Sequence, residues 1–224
     1  MSESIRVIVG VPSGNVWNAR FGVDLVNLVA SFTQKPVHGY SSQSLQVVNV
    51  RSSILSKNRL DLVNAAKQLK ASHLLFLDSD QTFPRSVIHQ LAQHRKLVVA
   101  ANIPTKQIPA NPTARGFEEG NPKWKLVYSD EMATGLEQVW RVGTGVMLIN
   151  MRVFDRLSGD LWSMKYLPEA DTYQGEDWTF CQKCEEVGIP IYVDHELSKQ
   201  VGHVGDYEFT HDVVGELSSG PDLH

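Results

Sequence analysis

The sequence predicts an α/β fold with a Rossmann-like, mainly parallel central sheet flanked by helices, and three observations predict it. Short apolar runs rich in strand-forming residues recur at positions 5–11, 45–50, 74–77 and 97–101. Segments with helical apolar spacing lie between them, at 20–32, 58–70 and 85–93. The strand runs are largely continuous rather than alternating, as expected of strands buried on both faces by crossover helices.

Each element follows from local signals. The first run closes on Pro12-Ser13-Gly14-Asn15, a loop at the strand's C-terminal edge. The run 74–77 passes directly into Asp78-Ser79-Asp80-Gln81-Thr82-Phe83-Pro84. Ligands on open α/β sheets bind beyond the carboxyl ends of the strands, so these two loops frame one crevice. Between 104 and 128, Pro104, Pro109, Pro112 and Pro122 break regular structure and predict a long functional loop or an irregular hairpin. Residues 138–150, with Gly143 and Gly145 leading into Val146-Met147-Leu148-Ile149, read as a strand. Residues 153–157 read as a short helix, 177–187 as a longer one and 189–193 as a late strand.

The 224 residues suit one domain with a sizeable core, and 42% hydrophobic and 21% charged residues exclude a disordered or fibrous chain. With 25 acidic against 21 basic side chains, the net charge of −4 creates no field that would draw the whole molecule to a polyanion. The first residues lack the charged start and apolar run of a signal peptide, and no stretch has the length needed to cross a bilayer, so a cytoplasmic location is expected. Cys181 and Cys184 are spaced CxxC within a helical segment and read as two free thiols, since a structural zinc would need two further ligands.

Two carboxylates one residue apart at the end of a buried strand, Asp78 and Asp80, form a natural seat for a hard divalent cation that would grip a diphosphate. The alternative is a turn in which both merely accept backbone N–H groups. Glu176 and Asp177 follow Gly175 at a helix start, either as reactive carboxylates or as charges that complement the helix dipole. Arg59 could contact a ligand or face solvent. Trp124, Trp140, Trp162 and Trp178 concentrate in the second half, where aromatic faces could stack on sugars or bases, although core packing accounts for at least two of them.

The arrangement Lys57-Asn58-Arg59, a helix, the run ending Asp78-Ser79-Asp80, then Thr82-Phe83-Pro84 resembles the nucleotide-binding half of GT-A fold glycosyltransferases, especially small bacterial and phage members related to family 2. Arg141 to Ile149 with Arg152-Val153-Phe154, Gly175-Glu176-Asp177-Trp178, and Gly202-His203-Val204-Gly205 resemble that group's acceptor strand, ED helix start and closing HxG segment, in family order. The resemblance implies a single GT-A domain over 1–224, with a nucleotide-sugar half to about 103 and a small acceptor-side half after it. It implies that Asp80 binds the metal, that Asp78 reaches it through water or holds the ribose, and that His203 is a third ligand. A histidine ligand suits Mn²⁺ better than Mg²⁺. Pro12, Ser13, Asn15, Asn58, Arg59, Asp78, Ser79 and Lys106 would contact a nucleotide-sugar donor, UDP-linked by preference. Asp177 would be the base for inverting transfer, with Glu176 orienting it or exchanging roles with it. Gly145 and Trp178 would face the hydroxyl acceptor, a glycan or a modified DNA base. A DNA acceptor would need a basic groove, for which Lys106, Arg115, Lys123, Lys125 and Arg141 are the candidates. The family's C-terminal QxxRW segment has no counterpart here, which favours addition of a single sugar.

Three other readings compete. A non-catalytic nucleotide-sugar-binding descendant would keep every ligand. A haloacid-dehalogenase-like phosphatase would use Asp78 as nucleophile, but Asp206 and Asp212 match its later acidic pair poorly. A sugar nucleotidyltransferase would need a Gly-rich signature that residues 9–20 lack.

Overall fold

The computed structural model describes residues 3–117, 125–169, 171–205 and 208–211; Lys123, Trp124, Asp206 and Asp212 lie outside the described residues. In chain order the elements are β1 (Ser4–Ser13), α1 (Ala19–Gln34), β2 (Ser42–Arg51), α2 (Leu55–Gln68), β3 (His73–Leu77), β4 (Gln81–Thr82), α3 (Val87–Gln93) and β5 (Val98–Ala100). There follow β6 (Arg115–Gly116), β7 (Lys125–Leu126), β8 (Leu136–Val139), β9 (Val146–Asn150), a 3₁₀ turn (Met151–Asp155), β10 (Lys165–Leu167) and β11 (Thr172–Gln174). The last elements are α4 (Glu176–Glu186), β12 (Ile191–Asp194), α5 (His195–Ser198), β13 (Gly202–Val204) and β14 (Glu208–Phe209).

A seven-stranded sheet in the order β2-β1-β3-β9-β5-β12-β8 forms the centre of this α/β fold. β1, β2, β3, β5 and β12 point one way, so the sheet is mostly parallel; β9 and β8 run against them. Alternation along each strand divides the core into two layers. In β3, Leu74 and Phe76 face α2 and α4, packing with Leu62, Val63, Trp162 and Phe180. Leu75 and Leu77 face α1 and α3, packing with Phe21, Leu28, Ile88 and Leu91. Gly10 of β1 is needed for this closeness, because an added Cβ would lie 3.0 Å from Leu74 and 3.3 Å from Leu62. Both cysteines sit in the α4 layer, and burial pushes the Cys181 thiol up to about 12.

The expected single strand over 138–150 is two strands on opposite sides of the sheet's C-terminal half. β8 pairs with β12 at the edge, whereas β9 inserts antiparallel between β3 and β5. The chain crosses between them through residues 140–145, where Gly143 packs against Thr113 and Gly145 against Asp78 and Ile103. Because β9 is antiparallel, its first residue, Val146, pairs with the last of β3, Leu77. That register carries Gly145 to the same edge as Asp78. The β10–β11 hairpin and α5 were not foreseen, and the loop after Pro104 closes as an irregular hairpin through Pro104 bridged to Pro112 and β6 paired with β7. Among the described residues no helix is long and apolar enough to cross a membrane.

Candidate active site

A cleft of about 360 Å³ opens at the C-terminal edge of β1 and β3, lined by Pro12, Ser13, Gly14, Ser52, Ser53, Leu55, Asn58, Asp78, Ser79, Asp80 and His203. Its walls are fixed by backbone accounting. Asn49 donates from Nδ2 to Val11 O and Ser13 Oγ, both at 2.8 Å, and Asn58 donates to Ser52 O at 3.0 Å. Asn58 is thus buried and ties the ends of β1 and β2 together. Ser52, Ser53 and Leu55 are lining residues that the sequence reading passed over. They occupy the loop between β2 and α2, so the rule that placed Pro12 and Asp78 at the ligand edge applies to them as well. Asn15 is solvent-exposed beside the cleft.

Of the two readings of Arg59, the structure excludes the solvent-facing one. The residue is only 2% exposed and lies beneath the cleft. Its Nη2 donates to Asp78 Oδ2 at 3.1 Å and its Nε to Glu176 Oε1 at 3.1 Å, joining the end of β3 to the start of α4. The guanidinium sits 5.2 Å from the Phe76 ring centroid and 5.9 Å from that of Trp162, which is itself stacked on Phe180. Burial opposes its charge, but Asp78 and Glu176 outweigh that and keep it fully cationic.

Asp78 takes a backbone bond through its N–H to Gly145 O at 2.9 Å, and Gln81 N–H donates back to Asp78 O at 3.0 Å. Among the described residues five buried polar atoms around this point have no protein partner: Asn58 Oδ1, Arg59 Nη1, Asp78 Oδ1, Gln81 Oε1 and Thr144 Oγ1. Buried polar atoms are normally paired, and orphans of this kind concentrate at functional sites. Gly145 completes the packing: a Cβ there would stand 2.9 Å from Ile103, 3.2 Å from Asp78 Oδ2 and 3.3 Å from Gln81.

Asp80 faces the other side of the turn. Lys106 Nζ donates to its Oδ2 at 2.5 Å, and His203 Nε2 lies 3.5 Å from its Oδ1. Burial pushes this carboxyl up, yet the hydrogen bonds and charges of His203 and Lys106 outweigh it and hold Asp80 well below the usual carboxylate range. His203 reaches Asp80 because β13 pairs with β4, with His203 opposite Gln81, and because Val204 N–H donates to Asp80 O at 2.7 Å. Its Nδ1 donates to Pro104 O at 3.0 Å, which aims Nε2 at Asp80. An imidazole nitrogen oriented by a carbonyl on its far side, beside a carboxylate, is a donor set suited to a first-row divalent cation. Asp78 does not converge with them, however. Among the described residues no group of three His, Cys, Asp or Glu side chains forms a metal cage, so Asp80 and His203 are a pair that a cation would have to complete with phosphate oxygens or water.

Asp177 occupies the first turn of α4, next to the Arg59-bound Glu176. Burial and then the neighbouring Glu176 charge push its carboxyl up to about 6, against a local hydrogen bond from Trp178 N–H to its Oδ1 at 2.7 Å. Gly175 permits this rotamer, since a Cβ there would lie 2.8 Å from Asp177 Oδ1. Trp178 is half-buried, tilted against Trp140 at 6.3 Å and covered by the Arg115 guanidinium at 5.7 Å. Of the expected basic groove, Lys106 is paired with Asp80, Arg141 is buried against Glu185 and Trp140, and Arg115 donates to Pro112 O and Ala114 O. These cations are engaged within the fold rather than arrayed as a stripe.

No family model and no curated protein matches this chain. Among solved structures it is similar to the crystal structure of A197 from STIV, with a TM-score of 0.57 and 15% identity, over 93% of this chain and 91% of that one. That likeness extends the α/β architecture over nearly the whole of both chains.

Proposed function

We propose that this chain is a metal-dependent GT-A glycosyltransferase that transfers a single sugar from a nucleoside-diphosphate sugar, UDP-linked by preference, to an acceptor hydroxyl with inversion. The observation that carries the reading is a cleft whose Asp80 is paired with His203 and Lys106, with the Glu176-Asp177 pair tied to the same turn through Arg59 and Asp78. Asp80 is kept ionised at the cleft, as a ligand for a cation must be. Asp177, next to the Arg59-bound Glu176, is pushed up to about 6, a range in which a general base works near neutral pH.

The roles follow from the contacts. Pro12, Ser13 and Asn58 wall the space for the nucleotide, and Asp80 with His203 would hold Mn²⁺ or Mg²⁺ at the diphosphate end. A cation bound there would neutralise the charge that develops on the departing diphosphate. Glu176 is committed to Arg59, which favours Asp177 as the group that takes the acceptor proton and Glu176 as the one that orients it. Gly145 lets the chain approach Asp78 closely and so holds that carboxylate at the end of β3, and Trp178, one residue past the base, offers the acceptor an aromatic edge. The engaged state of Arg115 and Arg141 favours a glycan acceptor over DNA.

The test is release of free nucleoside diphosphate from UDP-, GDP-, CDP- and TDP-sugars with Mn²⁺, using water as the default acceptor. Turnover of one donor class is expected, with Asp177→Asn slower by about 10²-fold or more, the usual contribution of a positioned base. If wild type turns over none of the donors, the enzymatic reading is wrong.

A further inference from the structure

The segment joining β5 to β6 is a closed loop strapped across the Asp80 end of the cleft. Thr113 N–H donates to Ile103 O at 3.0 Å, Thr105 N–H to Asn111 O at 2.8 Å, and Asn111 N–H to Thr105 Oγ1 at 3.0 Å, so its base is zipped while its tip stands in solvent with Ile108 70% exposed. Two contacts pin it to the site: His203 Nδ1 on Pro104 O, and Lys106 Nζ on Asp80 Oδ2 at 2.5 Å. The Lys106 and Asp80 side chains are 35% and 38% exposed, so the ammonium can leave without opening the core.

A small hard cation binds a carboxylate oxygen at about 2.0–2.1 Å and brings two positive charges. An ammonium already seated on that oxygen excludes it by both space and charge. Lysine's point charge on a flexible stem is also a good phosphate ligand, so a diphosphate arriving in the cleft offers Lys106 another partner. We propose that Lys106 is a built-in competitor for the divalent cation, holding Asp80 in the unliganded protein and released to the phosphates when nucleotide binds. This rests on Asp80 being the cation's ligand, as in the function proposed above. Cation and nucleotide then bind cooperatively, each raising the other's affinity by the same factor, as linkage requires.

The experiment is Mn²⁺ titration followed by electron paramagnetic resonance, without nucleotide and with saturating UDP, on wild type, Lys106→Met, Lys106→Arg and Asp80→Asn. Without UDP, Lys106→Met is expected to bind Mn²⁺ about 3–10-fold tighter than wild type, the range set by a half-exposed charge-assisted pair. Lys106→Arg, which keeps the cation, is expected to stay at or below wild-type affinity. The factor by which UDP tightens Mn²⁺ is expected to shrink in Lys106→Met by the same 3–10-fold. Equal or weaker Mn²⁺ binding by Lys106→Met, with binding still lost in Asp80→Asn, overturns the competitor role and leaves the metal site standing. Mn²⁺ binding that survives Asp80→Asn, or no binding by any variant with or without UDP, overturns both.

Discussion

Asp177→Asn should make the protein more stable at neutral pH while removing the proposed base. In the folded chain the Asp177 carboxyl is raised from an ordinary 3.8 to about 6, chiefly by burial and then by Glu176. A carboxyl raised on folding favours the folded state fully below its unfolded value, and that contribution is lost as pH climbs through the folded one. Between pH 4 and 6 wild type therefore surrenders about 3 kcal/mol at this site, the worth of a gap of that size. Asparagine never ionises and can still accept the Trp178 N–H through Oδ1. Urea unfolding of both proteins should coincide near pH 4 and diverge above pH 6, with the variant ahead by about 3 kcal/mol. In a chain of 224 residues this corresponds to about 6–12 °C in Tm. With Asp177 as the proposed base, turnover should show an acid limb that falls as pH drops through about 6. Equal stability at pH 4 and 8 for the two proteins would refute the assignment of a raised carboxyl here.

Arg59→Met should destabilise by about 2–4 kcal/mol, measured by the same unfolding, because it leaves the partly buried carboxylates of Asp78 and Glu176 without their shared counter-charge; adding Glu176→Gln should recover part of that loss, and strict additivity would argue against a shared bridge. Gly145→Ala should cost only about 1–3 kcal/mol from crowding against Ile103 yet weaken nucleotide binding by displacing Asp78, so calorimetry showing unchanged affinity would contradict the close approach.

Most of the scaffold was legible because apolar continuity in 5–11, 74–77 and 97–101 leaves few alternatives to buried strands, and the turn residues after them mark the ligand edge. Strand direction was not legible. Val146-Met147-Leu148-Ile149 is as apolar as the parallel strands, and only its register against Leu77 shows that it runs backwards and brings Gly145 to Asp78. The break at 140–145 was hidden for a related reason: Trp140 and Val142 continue the apolar pattern, and the glycines that allow the crossing also occur at strand entries. Arg59 was illegible because its neighbours Lys57 and Leu60 are exposed and its partners lie 19 and 117 residues away. The Lys106 contact lies 26 residues from Asp80 on a loop with no periodicity. Asp78, Asp80 and the Glu176-Asp177 pair were legible as acids at element ends, but the lowering of Asp80 depends on the distant His203 and Lys106, and the raising of Asp177 on a burial that the sequence does not show.

The most direct test of the central claim is calorimetric titration of UDP, GDP, CDP and TDP into wild type and Asp80→Ala, with and without Mn²⁺. One nucleotide should bind to wild type in a Mn²⁺-dependent manner and lose that dependence in Asp80→Ala. Binding of none of them, or binding indifferent to both Mn²⁺ and the Asp80 carboxylate, would contradict a metal-held nucleotide-sugar site at the end of β3.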